Sequence, residues 1–321
     1  MASPVVYTLG RCIVDLYGEE TGVEFEQVHR FAKYVGGSAA NTAVGLARLG
    51  LATGLISRVG EDRFGRYLLA ALAEEGVDAR MVGRDPVLPT GLAFAALKPP
   101  EDSDVVFYGN PNANQGVSIQ DLDWSAIASA KYLVVGGTAL AASPAREAVL
   151  MAMAHHRRTG GMNLLDVDWR PMFWSDPGTA DFYYHLALQY TDVVLANAPE
   201  LALVGGSADA RQSAMALKAE GVREVVAKQG AQGVRHFGPD GECQIPALQV
   251  SVVNTLGAGD GFAAGLVAAL EEPWTVPERL RFAAATAALV VSRHSCSEAM
   301  PRRAEVEALL AQGSMNEEDR R

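Results

Sequence analysis

The stretch Gly257-Ala258-Gly259-Asp260-Gly261 stands immediately before the alanine-rich run Phe262–Leu270 and is the strongest signal in the chain. Glycines at the start of a helix expose backbone N–H groups, and the helix dipole favours negative charge there. The first three residues of the stretch therefore predict an anion hole. Asp260, in the first turn, is placed to act as a base towards an attacking hydroxyl. The alternative is that Asp260 only complements the helix dipole and the glycines only form a turn.

A second glycine-rich stretch, Gly36-Gly37-Ser38-Ala39-Ala40-Asn41, opens another helical segment. Adjacent glycines allow a ligand to lie against the backbone. The Asn41 side chain offers both a donor and an acceptor, which suits a sugar hydroxyl. The alternative is a strand-to-helix turn with Asn41 on a solvated face.

Short apolar runs alternate with amphipathic helical patterns along the chain. The runs are Val5–Leu9, Leu55–Val59, Tyr132–Val135, Met162–Leu165, Val193–Leu195 and Val222–Ala227. This alternation predicts an α/β fold in which a parallel sheet is covered by helices. Two helices have clear ends: Ser38 is the predicted N-cap of a helix through Arg48, and Phe64–Glu75 ends at Gly76.

Two regions interrupt this alternation, residues 16–34 and 89–115. The second contains the strand-like runs Gly91–Leu97 and Val105–Tyr108. Long loops without structure are uncommon in compact domains, so we expect a small separate sheet that forms a lid; long surface loops are the alternative. We therefore expect one domain over residues 1–312 with an inserted lid, followed by a disordered tail over residues 313–321.

Composition excludes several classes of partner. The 321 residues carry 27 Lys and Arg against 38 Asp and Glu, and no basic block occurs, which argues against nucleic acid and anionic membranes. The three cysteines form no Cys-x-x-Cys pair, so neither a disulfide framework nor a zinc cluster is indicated. Met1–Val6 lacks signal-peptide features, and the longest apolar run is too short to span a bilayer. We expect a cytoplasmic protein.

The two glycine-rich stretches, in this order and far apart, resemble the paired signatures of the ribokinase-like (PfkB) family of carbohydrate kinases. The resemblance covers nearly the whole chain. It implies a doubly wound, mostly parallel sheet flanked by helices, with a small β-lid that can also form a homodimer. It further implies ATP as phosphoryl donor and Mg²⁺ as cofactor. The chain contains no Walker-type Gly-x-x-x-x-Gly-Lys-Ser/Thr loop, which fits a family that holds phosphates with the Gly-Ala-Gly-Asp turn.

Further residues match the family by position. Those for which the resemblance implies sugar contact are Asp15, Gly36, Gly37 and Asn41. Those implied in nucleotide binding are Asn197, Lys228, Gly230, Gly233 and Cys296. Glu200, in an Asn-x-x-Glu motif, is implied in placing Mg²⁺ through water; the alternative is a charge that only complements a helix terminus. Asn254 stands where the family commonly has Asp, which puts activation by a monovalent cation in doubt.

The segment Asp166-Val167-Asp168-Trp169-Arg170-Pro171-Met172-Phe173-Trp174 follows a strand-like run. A guanidinium at the end of a parallel strand points into the crevice where α/β sheets bind ligands, and its planar fork suits a carboxylate. Within the family, this segment is similar to kinases of acid sugars, both 2-keto-3-deoxygluconate kinases and 5-dehydro-2-deoxygluconokinases. Together with Gly10–Tyr17 and Lys33–Ser38 it is most similar to the latter. The alternative is that Arg170 pairs with Asp166 or Asp168 and contacts no ligand.

The resemblance therefore implies transfer of the γ-phosphoryl group of ATP to a primary hydroxyl of an acid sugar. One departure concerns the lid: after Tyr108 the acid-sugar kinases usually carry an arginine, whereas Gly109 follows here. A neutral-sugar kinase of the fructokinase or ribokinase type is the alternative among enzymes. A nucleotide- or sugar-binding protein without catalysis is the alternative outside them, and the intact Asp260 argues against it.

Overall fold

The computed structural model describes residues 3–99 and 103–318. Its strands are β1 (Val6–Leu9), β2 (Ile13–Gly18), β3 (Phe31–Gly36), β4 (Thr53–Gly60), β5 (Asp78–Asp85), β6 (Leu92–Ala96), β7 (Asp104–Tyr108), β8 (Tyr132–Gly136), β9 (Met162–Asp166), β10 (Val193–Asn197), β11 (Glu224–Lys228), β12 (Val234–Gly238) and β13 (Gly241–Ile245). Its helices are α1 (Ser38–Arg48), α2 (Arg63–Glu74), α3 (Trp124–Ser129), α4 (Ala145–Arg158), α5 (Pro177–Leu188), α6 (Ala198–Gly205), α7 (Ala210–Ala219), α8 (Ala258–Leu270), α9 (Val276–Val291) and α10 (Arg303–Glu318).

The main sheet has nine strands in the order β13-β12-β11-β10-β9-β8-β1-β4-β5. From β11 to β5 in this order, each strand is parallel to the next. Strand β12 pairs antiparallel with both β11 and β13. Each predicted apolar run corresponds to one of the parallel strands. The chain winds outward from β1 through β4 to β5, then returns to β8 and winds the other way. The boundary between β1 and β8 is therefore the topological switch point of the sheet, where open α/β sheets form their ligand crevice.

Helices cover both faces of the main sheet. Along β8, Leu133 and Val135 point into one apolar core and Tyr132 and Val134 into another, as the two-residue period of a strand requires. The first core also contains residues of α3 to α7, and α1, α2 and α8 to α10 supply the cores on the other face. Burial of central strands on both faces explains why they read as continuous apolar runs.

A second, four-stranded sheet stands apart, in the order β3-β2-β6-β7. It contains the two regions for which the sequence predicted a lid, but it begins earlier, at Ile13, and β3 extends to Gly36. Asp15 consequently lies inside β2, paired with Tyr34 and Ala93, and not in a loop after the first strand. The glycine-rich turn before α1 thus directly joins the second sheet to the main domain.

Two helix boundaries differ from expectation. The N-cap of α1 is Gly37, whose positive φ of 89° suits a glycine, and not Ser38. The Ser38 hydroxyl instead donates to Asp168 Oδ2 at 2.9 Å, so it is used by a tertiary contact. Helix α8 begins at Ala258, earlier than the alanine-rich run suggested, because Gly257 adopts a left-handed φ of 80° and serves as its N-cap.

Among the described residues, no helix is long and apolar enough to cross a membrane. Of the tail predicted to be disordered, residues 313–318 continue α10 to its end at Glu318, and residues 319–321 lie outside the described residues.

Candidate active site

The predicted site residues gather at the switch point and the neighbouring strand ends. Arg11 follows β1, Asp168 follows β9, Asn197 ends β10 and Lys228 ends β11. Because parallel strands present their carboxyl ends at one edge of the sheet, these side chains meet there. The α8 turn reaches the same edge: a Cβ placed on Gly259 would lie 3.4 Å from Lys228 Nζ.

The anion-hole turn forms the first turn of α8. Gly257 is the N-cap, and Ala258, Gly259 and Asp260 follow as the first three helical residues. A Cβ on Gly257 would lie 2.8 Å from Cys296 Sγ, so a side chain there would need the turn to move. The backbone N–H groups of an α-helix's first turn have no intrahelical partner and attract negative charge. The turn therefore has the free donors that a phosphate group needs, and its role as an anion hole stays a prediction.

Asp260 lies beside Asn41, whose side-chain amide donates to Asp260 Oδ2 at 2.8 Å. The two glycine-rich stretches, 219 residues apart at this contact, thus form one site. Burial and the neighbouring Asp168 carboxylate raise the pKa of Asp260 to about 7. A carboxylate with a pKa near neutrality is suited to accept a proton from a hydroxyl at ordinary pH.

One side of the site is formed by β2 and the turn before α1, which contain the residues for which the resemblance implies sugar contact. Asp15 is buried, and the Tyr17 hydroxyl donates to its Oδ2 at 2.8 Å. A Cβ on Gly36 would lie 2.0 Å from Asp15, and one on Gly37 would lie 2.6 Å from the Arg11 carbonyl oxygen. Both glycines are therefore needed for close packing around the two residues. Burial raises the pKa of Asp15 to about 6.

Asp168 connects the elements of the switch point. Its Oδ2 accepts from Arg11 at 2.7 Å, from Ser38 at 2.9 Å and from Thr138 at 3.3 Å. Its Oδ1 lies 3.2 Å from the Arg170 guanidinium. Burial alone would raise the pKa of Asp168, but Arg11 and Arg170 lower it to about 2. Asp168 is also the one non-glycine among the described residues with a positive φ, 41°.

Arg170 forms the ion pair that the sequence gave as the alternative, with Asp168 and not with Asp166. The pair does not enclose the guanidinium, because 40% of the Arg170 side chain remains exposed at the crevice. Its Nη1 donates only to the Trp169 carbonyl oxygen, at 3.1 Å. Arg170 therefore retains donors that a ligand could use.

Asn197 and Glu200 form a capping box at the start of α6. Asn197 Oδ1 accepts from the Glu200 N–H at 3.0 Å, and Glu200 Oε2 accepts from the Asn197 N–H at 2.7 Å. Glu200 Oε1 also accepts from the Trp169 N–H at 3.1 Å, which fixes the chain after β9. Burial raises the pKa of Glu200 against the opposing effect of Lys228. Glu200 is thus more than a helix-terminal charge, since it orients the segment that carries Arg170.

Lys228 reaches across the strand ends to Asp166, with Nζ 2.7 Å from Oδ1, and lies 3.9 Å from Glu200. Burial acts to lower the pKa of Lys228, but the two carboxylates outweigh it and hold the pKa above its usual value. The ammonium group is therefore charged and lies next to the anion-hole turn. Of the two nearby glycines, Gly230 has space for a side chain, because no atom of the described residues would lie within 4 Å of a Cβ placed there. A Cβ on Gly233 would lie 2.0 Å from the Ile245 carbonyl oxygen.

Cys296 and Asn254 lie beneath the anion-hole turn. Cys296 Sγ is 2.6 Å from the Tyr17 hydroxyl, so the segment after α9 contacts the second sheet. Asn254 is buried, donates to the His294 carbonyl oxygen at 3.0 Å and accepts from the Leu256 N–H at 3.0 Å. These contacts link the residues before Gly257 to the segment after α9, and that segment to the second sheet.

Comparison with known proteins assigns this arrangement to a family. Residues 4–303 match the model of the pfkB family carbohydrate kinases. The chain belongs to the pfkB family of carbohydrate kinases. The prediction from the paired glycine-rich signatures is therefore confirmed, and so is the ribokinase-like fold. The chain is an ATP-dependent sugar kinase, as its family and its kinase relatives show.

The curated relatives of this pfkB protein share a name. A 5-dehydro-2-deoxygluconokinase of Geobacillus kaustophilus is 37% identical over 310 residues, covering 95% of this chain and 92% of the relative. A 5-dehydro-2-deoxygluconokinase of Bacillus cereus is 35% identical over 309 residues, covering 94% and 93%. Both therefore match this chain along nearly their whole length.

Three solved pfkB-type structures resemble the chain throughout. A PfkB protein from a Polaromonas species superposes with a TM-score of 0.84 at 31% identity, covering 95% of this chain and 99% of its own. A putative ribokinase II from E. coli, in complex with ATP and Mg²⁺, has a TM-score of 0.89 at 27% identity, covering 96% and 99%. A Vibrio cholerae fructokinase variant with bound fructose, ADP and potassium has a TM-score of 0.86 at 27% identity, covering 97% and 100%.

Sequence reasoning about the pfkB site missed several residues. Arg11 was quoted only as part of a similar segment, Asp166 and Asp168 only as possible partners of Arg170, and Ser38 and Thr138 had no role in the predicted site. Three of these residues could have been found from their positions, because Arg11, Thr138 and Asp168 each lie directly or closely after a parallel strand. What the sequence did not show is that Asp168 joins all of these elements.

Proposed function

We propose that this kinase phosphorylates a primary hydroxyl of 5-dehydro-2-deoxy-D-gluconate, with ATP as the phosphoryl donor. The observation that carries the proposal is the partly exposed Arg170 guanidinium, which stands at a strand end in the same crevice as the base Asp260. A guanidinium fork suits a carboxylate, and a neutral sugar has no group to pair with it. The names of the curated relatives support the same substrate.

The chemistry follows from the positions of Asp260 and the α8 turn. The Asp260 carboxylate accepts the proton of the primary hydroxyl while the hydroxyl oxygen forms a bond to the γ-phosphorus. The bond between that phosphorus and the bridging oxygen breaks, and ADP leaves with the electron pair. The N–H groups of the Gly257-Ala258-Gly259 turn and the Lys228 ammonium stabilise negative charge on the transferred group. Asp15 and Asn41 bind sugar hydroxyls and hold the acceptor in line.

The donor set fits Mg²⁺ held mainly by the nucleotide. Among the described residues, no group of three His, Cys, Asp or Glu side chains could hold a metal ion by itself. Both Glu200 oxygens already accept backbone hydrogen bonds, so Glu200 suits a metal-bound water better than direct coordination. Asp166 supplies a further carboxylate nearby. Such a site is usual for Mg²⁺, which keeps several waters and shields phosphate charge.

The remaining nucleotide contacts stay as the family resemblance implies. We propose that Asn197 and the turn from Gly230 to Gly233 line the phosphate side, and that the segment containing Cys296 borders the adenine. Cys296 itself is buried against Gly257 and Tyr17, so its contribution is to shape the turn from below. The E. coli complex with ATP and Mg²⁺ supports this arrangement at the level of the fold.

We also propose a homodimer formed through the second sheet. In its register, Asp15 and Tyr17 face the site, so Leu16 and Phe94, which pair across β2 and β6, lie on the opposite face of the sheet. Phe31, Phe94 and Tyr108 continue this outer face, with ring centroids 5.2 and 5.4 Å apart, and Tyr108 is 55% exposed. An apolar sheet face of this kind suits a second copy of the chain.

The dimer is tested by light scattering. The wild-type protein should have the mass of a dimer, and Tyr108→Glu should have the mass of a monomer. A monomeric wild type would contradict the proposal.

The substrate is tested with a panel of sugars and sugar acids in the presence of ATP and Mg²⁺, with the phosphorylated position read by NMR. We expect 5-dehydro-2-deoxy-D-gluconate to give the highest kcat/KM. A preference for 2-keto-3-deoxygluconate would move the assignment to the other acid-sugar kinases. A preference for fructose or ribose would leave only the broader statement of a sugar kinase.

Arg170→Leu sharpens this test. Loss of a charge-assisted hydrogen bond costs roughly 1.5–3 kcal/mol, so KM for the acid sugar should rise by about one to two decades. KM for ATP should remain nearly unchanged, because only the sugar loses a charged partner. An equal rise in KM for acid and neutral sugars would show that Arg170 acts only by holding Asp168 in place.

A further inference from the structure

Arg11 occupies the place where the second sheet meets the crevice. Its guanidinium carbon lies 5.6 Å from the centroids of both the Phe107 and the Phe173 rings, which are themselves 5.0 Å apart. Phe107 belongs to β7 on the face of the second sheet that Asp15 shares, and Phe173 follows Arg170 in the chain. Stacking on aromatic faces is a typical way to hold a guanidinium without using its N–H donors.

Most donors of Arg11 are free. Of the five N–H donors of a guanidinium, the described residues use one, the bond from Nη2 to Asp168 Oδ2 at 2.7 Å. Nε is buried and has no hydrogen-bond partner among the described residues. Only 13% of the side chain is exposed, so these donors face the crevice interior and not bulk water. Buried donors without partners are uncommon in folded proteins and mark a place where a ligand can bind.

Arg11 and Arg170 share one carboxylate. Asp168 is a single carboxylate that lies between two guanidiniums, Arg11 on Oδ2 and Arg170 on Oδ1. Lys228 pairs instead with Asp166 and lies 3.9 Å from Glu200. Among the described residues, Asp15 and Asp260 form no ion pair with either arginine. A substrate carboxylate can therefore accept hydrogen bonds from the donors of Arg11 and Arg170 that Asp168 leaves free.

We propose that Arg11 determines the preference for a carboxylate-bearing sugar, by binding the substrate carboxylate together with Arg170 on the two sides of Asp168. This inference rests on the proposed acid-sugar function and deepens it. It also accounts for the lid: β7 ends at Tyr108 and is followed by Gly109, which has no side chain to offer. The cation comes instead from the end of β1, and the lid contributes the Phe107 ring on which that cation stacks.

The Arg11 side chain is held in place by its neighbours. Arg11 is held by Phe107, Phe173 and Asp168 before substrate arrives, so little side-chain entropy is lost when the carboxylate binds. Arg170, which is more exposed, has more freedom to adjust. Removing Arg11 should therefore weaken acid-sugar binding at least as much as removing Arg170.

The experiment compares 5-dehydro-2-deoxy-D-gluconate with its primary amide, which has nearly the same shape and no charge. KM for each and the Kd for ATP are measured for wild type, Arg11→Met, Arg11→Lys and the control Arg66→Met, which removes an exposed guanidinium of α2. We expect Arg11→Met to raise KM for the acid at least about tenfold, while KM for the amide changes less than about twofold. Arg66→Met should have the wild-type KM for both the acid and the amide.

The outcomes separate the inference from the function on which it rests. If wild type prefers the amide, the acid-sugar function fails and the inference fails with it. If wild type prefers the acid but Arg11→Met affects acid and amide alike, or neither, the function stands and the inference is wrong. If Arg11→Met does not fold, Arg11→Lys decides, because lysine keeps the charge but lacks the planar guanidinium fork. Arg11→Lys should raise KM severalfold for the acid only. An equal rise in KM for the acid and the amide would overturn the role of Arg11 in carboxylate binding.

Discussion

The Asn41 side-chain amide donates a hydrogen bond to Asp260 across 2.8 Å and so joins helix α1 to helix α8. Asn41 is buried, and its Oδ1 has no hydrogen-bond partner among the described residues. In the proposed mechanism, one end of the amide orients the base and the other end accepts a hydrogen bond from the sugar. The proposal therefore assigns to a single side chain the placing of the acceptor hydroxyl beside the group that deprotonates it.

Asp260→Asn should fold and bind ATP but lose most turnover. The amide is nearly the same size and preserves the α8 turn, but it cannot accept the hydroxyl proton. Loss of a positioned base typically reduces the rate by about a hundredfold or more. Single-turnover assays with saturating ATP and sugar measure the effect, and near-normal turnover would remove Asp260 from the mechanism.

The same variant should be more stable than wild type at alkaline pH. The folded pKa of Asp260 is raised to about 7, so its folded carboxylate binds a proton more tightly than the unfolded one. The resulting stability is present at acidic pH and is lost as pH rises through 7. Because Asp260 is partly exposed, we expect Asp260→Asn to gain about 1–2 kcal/mol at pH 8 and almost nothing at pH 4. Equal melting temperatures at pH 8 would contradict this.

The pH dependence of kcat/KM reports the same group in the free enzyme. Activity should rise with pH and level off above a midpoint near 7, since the base must be deprotonated. The Asn41 hydrogen bond favours the charged carboxylate and lowers its pKa, so Asn41→Ala should move the midpoint to higher pH. A structural role for Asn41 would lower the activity at every pH and leave the midpoint in place.

Glu200→Gln should raise the Mg²⁺ concentration needed for half-maximal activity severalfold, because a neutral amide holds a metal-bound water less well. The change also disturbs a capping box, so Glu278→Gln serves as the control. Glu278 forms the capping box of α9 with Thr275, with Thr275 N 2.7 Å from Oε2, and is exposed. If EDTA left activity intact, or both variants shifted the Mg²⁺ titration alike, the role of Glu200 in metal placement would be wrong.

Asn254 should make the enzyme largely insensitive to potassium. Its Nδ2 donates to the His294 carbonyl oxygen at 3.0 Å, so an N–H group already satisfies an oxygen that a cation could otherwise bind. Exchanging sodium for potassium at constant ionic strength should change turnover less than about twofold. Asn254→Asp would set a carboxylate oxygen against that carbonyl, and we expect its activity to become dependent on potassium. A severalfold potassium activation of wild type would refute the prediction.

The parts of the fold that sequence predicted well are those set by local pattern. Tyr132–Val135 alternates between two apolar cores and is flanked by helices, so its apolar run identified β8. Gly257 marked the start of α8 because only a glycine readily adopts the left-handed conformation of that N-cap. The expected second sheet forms from the two regions outside the main alternation; its action as a lid remains a prediction.

The errors came from tertiary contacts that compete with local preference. Ser38 is a good N-cap by type, but its hydroxyl bonds Asp168, which lies 130 residues away in sequence. Asp15 follows the first strand closely, and only its pairing with Ala93 shows that it belongs to another sheet. Arg11 received no role from the sequence because its partners Phe107, Asp168 and Phe173 come from distant segments. Such residues become recognisable only when the chain is folded.

The backbone of Asp168, with its φ of 41°, has a consequence for anyone who engineers this enzyme. A left-handed conformation is costly for most side chains, by about 1–2 kcal/mol, while glycine adopts it freely. Glycine would relieve this strain, but it would also remove the carboxylate that pairs with Arg11 and Arg170, and loss of one partner of a buried ion pair costs about 3–5 kcal/mol. Glycine at this position should therefore lower the melting temperature, and libraries built for heat resistance should leave Asp168 unchanged.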